Sequence, residues 1–390
     1  MDKCLFPRPG DSSDSRQLAP RSAAVQFLNR YTKFALRDHE YTLPPYQFGT
    51  GPQIMAEASA KKLEPESAAF LDRIRSAAQG SQSSPLDHKD PESMRASAVA
   101  LLKAFGPKKL PVREVRRQII LSEDREVPVV VYWPEDGGAK DHRGSGKPIV
   151  LYFHGGGWTH CSAETHDGVA RHLCNKAGCI VVNVDYSLSP EHKFPAALED
   201  TYDVLRWVSA NADSLGGDAR AIVVAGESAG GTLSIALCLL TKSRGGPKIA
   251  VQIPMCPSLD LRGYDEYDSW KRLGNGEYLV SKASLEQTKH AYFQSPGDVT
   301  NPLASPIFAA DLSGLPPALV ITAEFDPLVD QGEIYVQRLR ASGVTADYRC
   351  FEGTIHSFMI LAGAISVGYR ALDLVAERVR AASSLQTPGS

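Results

Sequence analysis

The stretch that most constrains this chain is Ala221–Lys242, AIVVAGESAGGTLSIALCLLTK. It opens on a β-branched apolar run, Ile222-Val223-Val224. It then passes through Gly226-Glu227-Ser228-Ala229-Gly230-Gly231 and enters a segment rich in Ala and Leu. That order reads as strand, sharp turn, helix, with a serine at the tip of the turn. Such a turn requires small flanking residues, because a strained serine backbone leaves no room for neighbouring Cβ atoms. It would lift the Ser228 hydroxyl clear of the sheet at a helix N-terminus, where backbone dipoles favour negative charge. A G-x-S-x-G pattern alone is weak; the strand before it and the helix after it make Ser228 a candidate nucleophile.

The surrounding chain supplies a sheet for that turn to stand on. Residues 112–122 and 126–134 read as an antiparallel hairpin. PIVLYFHG (148–155) is a nearly continuous apolar run, as expected of a strand buried on both faces, and CIVVNVDY (179–186) follows. Further strands are expected at 249–255, 318–326 and 345–353, with helices near 165–177, 195–210, 329–342 and 357–381. Strand and helix in alternation predict an α/β fold with a mainly parallel sheet flanked by helices. Residues 259–296, with Tyr264, Tyr267, Trp270, Tyr278, Tyr292 and Phe293, read as a helical insertion over the sheet edge.

The N-terminal part has a different texture. Residues 1–20 are Pro/Ser-rich and read as a flexible arm. Amphipathic helices are expected over 21–37, 64–77 and 92–105, with a break at 41–52 and a polar linker at 78–91. The expected organisation is therefore an arm at 1–20, a helical cap region at 21–110 and a catalytic domain at 111–390 that carries the 259–296 segment as part of the cap.

Composition excludes some functions. The 390 residues carry a net charge of −3, so no basic field exists to hold nucleic acid as the main partner. No run of roughly 18 apolar residues offers a membrane span. The opening residues lack the apolar core of a secretory signal. Seven cysteines at irregular spacing, without close Cys/His pairs, suit reduced thiols better than a disulfide frame or a zinc site. The expectation is a cytoplasmic protein with no metal. Cys161, although near the motifs below, reads as a packing residue.

A serine hydroxyl needs a base to take its proton, and that base, usually His, needs a carboxylate to fix its tautomer. Downstream of Ser228, Asp326 ends the strand ALVITAEF and His356 follows the strand ending at Gly353. Open α/β sheets bind ligands at the carboxyl ends of their strands, so all three residues reach one sheet edge. Asp260, Glu324 and His290 are weaker candidates: the first suits a cap or an ion pair, the second points across the sheet, and the third lies within a helix. Acyl transfer also needs donors for the developing oxyanion. The Ala229 amide is one, and His154-Gly155-Gly156-Gly157-Trp158 after the third strand supplies others. Three glycines also suit a merely flexible turn, but a phosphate loop would continue into Gly-Lys-Ser/Thr, which is absent. His154 would brace the loop rather than move protons.

Taken together, HGGGW (154–158), DYSLSPEHKFPAALED (185–200), GESAGG (226–231), residues 305–332 and CFEGTIHSF (350–358) resemble the hormone-sensitive-lipase-like branch of α/β-hydrolases. The resemblance spans residues from about 63 to 375. It implies an α/β-hydrolase fold with a helical cap, serine esterase activity on a small to medium acyl ester such as that of a specialised metabolite, no cofactor, and often a homodimer. It places the triad on Ser228, Asp326 and His356 and the oxyanion hole at Gly156, Gly157 and Ala229, with Gly155 adjacent in the hole; His154, from its place in the loop, and Glu227, beside the nucleophile, are expected as supporting residues. The chain departs from the branch at Glu227, where Asp or Thr is more usual, at Ser187 for Arg, at Gln331 for Glu, and at Ser357 for Gly. The same triad serves lactonases, arylformamidases and acyltransferases. Gibberellin receptors resemble this branch too, but lack the histidine that stands here as His356.

Overall fold

The computed structural model of the protein describes residues 62–79, 90–122, 125–135 and 146–382. The arm expected over 1–20, the helix over 21–37 and the break at 41–52 lie outside these residues. The described residues all fall within one unit, Ala60–Ser390.

Eight strands form one sheet: β1 (Glu114–Leu121), β2 (Glu126–Trp133), β3 (Lys147–Phe153), β4 (Ile180–Val184), β5 (Gly217–Glu227), β6 (Val251–Met255), β7 (Ala318–Phe325) and β8 (Ala346–Ile355). Their order across the sheet is β1-β2-β4-β3-β5-β6-β7-β8. β1 pairs with β2, and β2 with β4, antiparallel. Every pair from β4 to β8 is parallel. Side chains alternate across the pleat, so each apolar run feeds two cores. Ile149, Leu151, Val182, Ile222 and Val224 enter one, and Val150, Tyr152, Val181, Val223 and Ile253 enter the other.

Helices close both faces. α4 (Ala196–Leu215), α5 (Ala229–Arg244) and α8 (Val329–Ala341) bring Leu198, Leu205, Leu233, Leu237 and Leu339 to the first core. α3 (Asp167–Ala177) and α9 (Val367–Ala382) bring Leu173, Leu372 and Val375 to the second. The chain leaves β3 on one side to reach β4 and returns to the other side as β5. The strand order therefore reverses between β3 and β5, the kind of position beyond whose carboxyl ends open α/β sheets bind ligands.

Two helices precede the sheet. α1 (Pro65–Gln79) begins where the Glu64 carboxylate accepts from the amides of Glu66 and Ser67 at 3.0 and 2.9 Å. α2 (Pro91–Phe105) is capped by Asp90, which accepts from Ser93 N at 2.8 Å. Phe70 and Phe105 join the helices edge to face, with ring centroids 5.3 Å apart. α6 (Asp268–Leu273) and α7 (Lys282–Tyr292) occupy the segment expected as a helical insertion.

Two helix boundaries differ from expectation. α4 runs on past residue 210 to Leu215, where Gly216 (φ 83°) closes it in the left-handed region. The single helix expected over 357–381 is a 3₁₀ turn at Phe358–Leu361 followed by α9. Gly363 between them donates its amide to Phe105 O at 2.9 Å, so this break docks α2. Among the described residues, no helix is long and apolar enough to cross a membrane.

Candidate active site

Ser228 stands between the last residue of β5 and the first of α5, with φ 54° and ψ −119°. A non-glycine residue held there stores on the order of 1–3 kcal/mol of strain. The neighbours hold it: Ser228 N donates to Met255 O of β6 at 2.8 Å. A Cβ on Gly230 would lie 1.9 Å from Phe153 O, so only glycine lets the end of β3 pass this close.

Asp326 follows β7 and His356 follows β8, and both are buried. Asp326 Oδ1 accepts from Leu328 N at 2.9 Å, which turns Oδ2 toward His356 Nδ1 at 2.6 Å. His356 Nε2 lies 3.0 Å from Ser228 Oγ. Burial disfavours the imidazolium of His356, but the Asp326 charge and hydrogen bond outweigh it and raise the basicity above the ordinary value. A hydroxyl beside such an imidazole has an acceptor for its proton.

The glycine loop leaves β3 between these groups and α7. The amides of Gly156, Gly157 and Ala229 have no acceptor among the described residues. Gly155, expected in the oxyanion hole, is different. Its N–H donates to Glu227 Oε1 at 2.6 Å, so it anchors the loop and cannot face an oxyanion. His154 is fully buried, stacks on Tyr186 and bonds Gly155 O through Nδ1 at 2.7 Å. The carbonyl can only accept, so Nδ1 carries the proton. Burial and the neighbouring His166 lower its pKa to about 3, which keeps it a neutral brace.

Glu227 gathers more partners than its sequence context suggested. Besides Gly155, its carboxylate meets Tyr152 Oη at 2.8 Å and His166 Nε2 at 3.0 Å. Tyr152 and His166 were not among the sequence candidates. Tyr152 sits within the apolar run of β3, and His166 precedes α3 with no motif around it.

The competing residues find other partners. Asp260 pairs with Arg262 at 2.8 Å and accepts from Tyr267 Oη at 2.8 Å. Gln331 accepts from the Leu259 and Asp260 amides at 2.7 and 3.1 Å. Glu324 accepts from Gly353 N of the adjacent strand at 2.8 Å, and His290 lies on α7. Burial pushes the Cys161 thiol up, so it stays protonated as a packing residue. The described residues hold one group of three potential metal ligands, Cys256, Asp326 and His356, two of which already bond each other. Ser357 takes the left-handed conformation (φ 54°) in which the branch usually has glycine.

Comparisons with known proteins agree with this architecture. A sequence profile for the α/β-hydrolase fold matches residues 150–360. The chain is 39% identical over 271 residues to the arylesterase of Saccharolobus solfataricus, covering 69% of this chain and 84% of the relative. It is 37% identical over 242 residues to the carboxylesterase NlhH of Mycobacterium tuberculosis, covering 60% of this chain and 72% of the relative. An ester hydrolase from the metagenome of Lake Arreo, solved with a derivative of bipyridine phosphonate, superimposes with a TM-score of 0.76 at 33% identity, over 83% of this chain and 100% of that one. The sheet order, the serine turn and these relatives together establish that the chain belongs to the α/β-hydrolase family, in its hormone-sensitive-lipase-like branch.

Proposed function

We propose that this protein hydrolyses carboxylic esters through Ser228, His356 and Asp326. One observation carries the reading: a single imidazole lies 3.0 Å from the Ser228 hydroxyl and 2.6 Å from a buried carboxylate. Ser228 Oγ attacks the ester carbonyl carbon while His356 Nε2 takes its proton, and the carbonyl oxygen becomes an oxyanion. The amides of Gly156, Gly157 and Ala229 donate to that oxygen, in a buried setting where such bonds are worth several kcal/mol of barrier, about 3 for one donor in a measured case. Collapse expels the alcohol, which leaves with the proton from His356. Water then loses a proton to His356 and attacks the acyl-enzyme carbonyl, and as the acid departs His356 returns that proton to Ser228 Oγ. Asp326 holds the imidazole tautomer and stabilises its charged form.

The substrate we propose is a small to medium acyl ester, in keeping with relatives named arylesterase and carboxylesterase. We assign α1, α2 and the 259–296 segment to a cap over the sheet edge. Arg95 of α2 donates to Thr159 O just beyond the glycine loop at 3.0 Å. On the α7 side, a Cβ on Gly157 would stand 3.1 Å from the Thr288 hydroxyl. The test is Ser228→Ala against p-nitrophenyl acetate and butyrate. The variant should keep its fold and lose turnover by at least about 10⁴-fold; turnover near that of the parent chain would overturn the assignment.

A further inference from the structure

We propose that Glu227 is a positioning residue that sets the oxyanion hole, acting through the amide of Gly155. The inference rests on the ester-hydrolysis reading above and assigns a role to a carboxylate that this mechanism leaves unused.

The C=O of one residue and the N–H of the next lie in one rigid plane and point in opposite directions. Holding either group therefore aims the other. In the peptide joining His154 to Gly155, the carbonyl accepts from Tyr186 Oη at 2.7 Å and the N–H donates to Glu227 at 2.6 Å. In the next peptide, the Gly155 carbonyl is held by His154 Nδ1 at 2.7 Å, which aims the Gly156 N–H the opposite way. In the third, the Gly156 carbonyl accepts from the amides of Thr159 and His160 at 3.0 and 3.1 Å, which aims the Gly157 N–H. Three successive planes are fixed, and the first rests on Glu227.

The carboxylate is suited to that task. It is 1% exposed, and a buried carboxylate is tolerated only when its oxygens are bonded. Its donors come from three separate segments: Tyr152 of β3, Gly155 of the loop, and His166 at the start of α3. The fit admits no side chain on the loop, since a Cβ on Gly155 would lie 2.1 Å from Glu227 Oε1. Glu227 is also the residue before the nucleophile, so one backbone segment fixes both the attacking oxygen and the loop that receives the negative charge. An amide in its place offers one acceptor oxygen to three donors and leaves donors unmatched.

The test is Glu227→Gln, read by kcat, KM and the inhibition constant of an alkyl trifluoromethyl ketone, whose adduct with a serine carries an oxyanion. A mis-aimed hole lowers transition-state binding without touching ground-state binding. The expected result is a kcat reduced about 30- to 100-fold, trifluoromethyl ketone affinity weakened by a similar factor, and KM within threefold of the parent. A folded Glu227→Gln protein with kcat and ketone affinity within threefold of the parent overturns the proposal. If Glu227→Gln does not fold, Glu227→Asp reads the same contact, because it keeps the charge but retracts the oxygens by one methylene. At least a tenfold loss in both kcat and ketone affinity supports the proposal, and unchanged values overturn it. Failure of the parent reading is distinct: the unaltered chain would then neither hydrolyse esters nor bind the ketone.

Discussion

His356 Nδ1 and Asp326 Oδ2 are 2.6 Å apart with both residues buried, and in the proposed mechanism this pair sets the pH range of the enzyme. Burial alone would lower the imidazole below its ordinary value of 6.5, yet the Asp326 charge and hydrogen bond carry it above. With the neutral imidazole as the proposed base, kcat/KM is expected to rise with pH as His356 loses its proton. The acid limb of the profile is expected to have its midpoint above pH 6.5. In Asp326→Asn the charge and hydrogen bond that most oppose burial are gone and only the more remote Glu227 charge still opposes it, so the midpoint should fall relative to the parent and the rate should drop by about 10⁴-fold. A midpoint unmoved by the substitution would contradict the pairing.

Asp260 provides the contrast. It is as buried as Asp326 but serves Arg262 and Tyr267, well away from His356 in its bonding. Asp260→Asn strips a charge partner from Arg262 and is expected to destabilise the fold by about 2–4 kcal/mol, read as a lower denaturation midpoint. Among molecules that remain folded, kcat should stay within about tenfold of the parent, against the far larger loss in Asp326→Asn. Equal losses of kcat in the two variants would mean that the acid has been misassigned.

Arg95 connects the helices ahead of the sheet to the catalytic loops. Its guanidinium donates to Thr159 O at 3.0 Å and Ser189 O at 3.2 Å, and pairs with Glu191 at 2.7 Å. The pair with Glu191 is half-exposed and contributes little, so the two carbonyl contacts dominate. Arg95→Ala should cost about 1–2 kcal/mol of stability and raise KM about three- to tenfold with kcat less affected, because α2 loosens over the substrate side. Steady-state kinetics with a short acyl ester checks this, and an unchanged KM would show that α2 does not bound the site.

How much of this was legible in the sequence follows from the range of each interaction. The strands β3 to β7 announce themselves because burial on both faces demands unbroken apolar runs. Ser228 and Asp326 could be chosen because each directly follows such a run, and His356 because it follows the last strand of the pattern; the sheet geometry then brings them to one edge. The helix end at Leu215 was missed by five residues although Gly216-Gly217 marks it. The Glu227 network was not legible. Its contacts with His166 and Tyr152 join residues 61 and 75 positions apart, and neither partner sits in a pattern of its own. The role of Gly155 failed for the same reason: three consecutive glycines look alike until a carboxylate from another strand claims one amide. The split before α9 depends on where α2 docks, which no local signal encodes.

The most direct measurement is covalent labelling of the intact protein with a fluorophosphonate, read by mass spectrometry with site mapping. One adduct per chain is expected, on Ser228, abolished in Ser228→Ala and blocked by prior occupancy with a trifluoromethyl ketone. A folded chain that takes no label, or takes it on another residue while hydrolysing esters, would rule out Ser228 as the nucleophile.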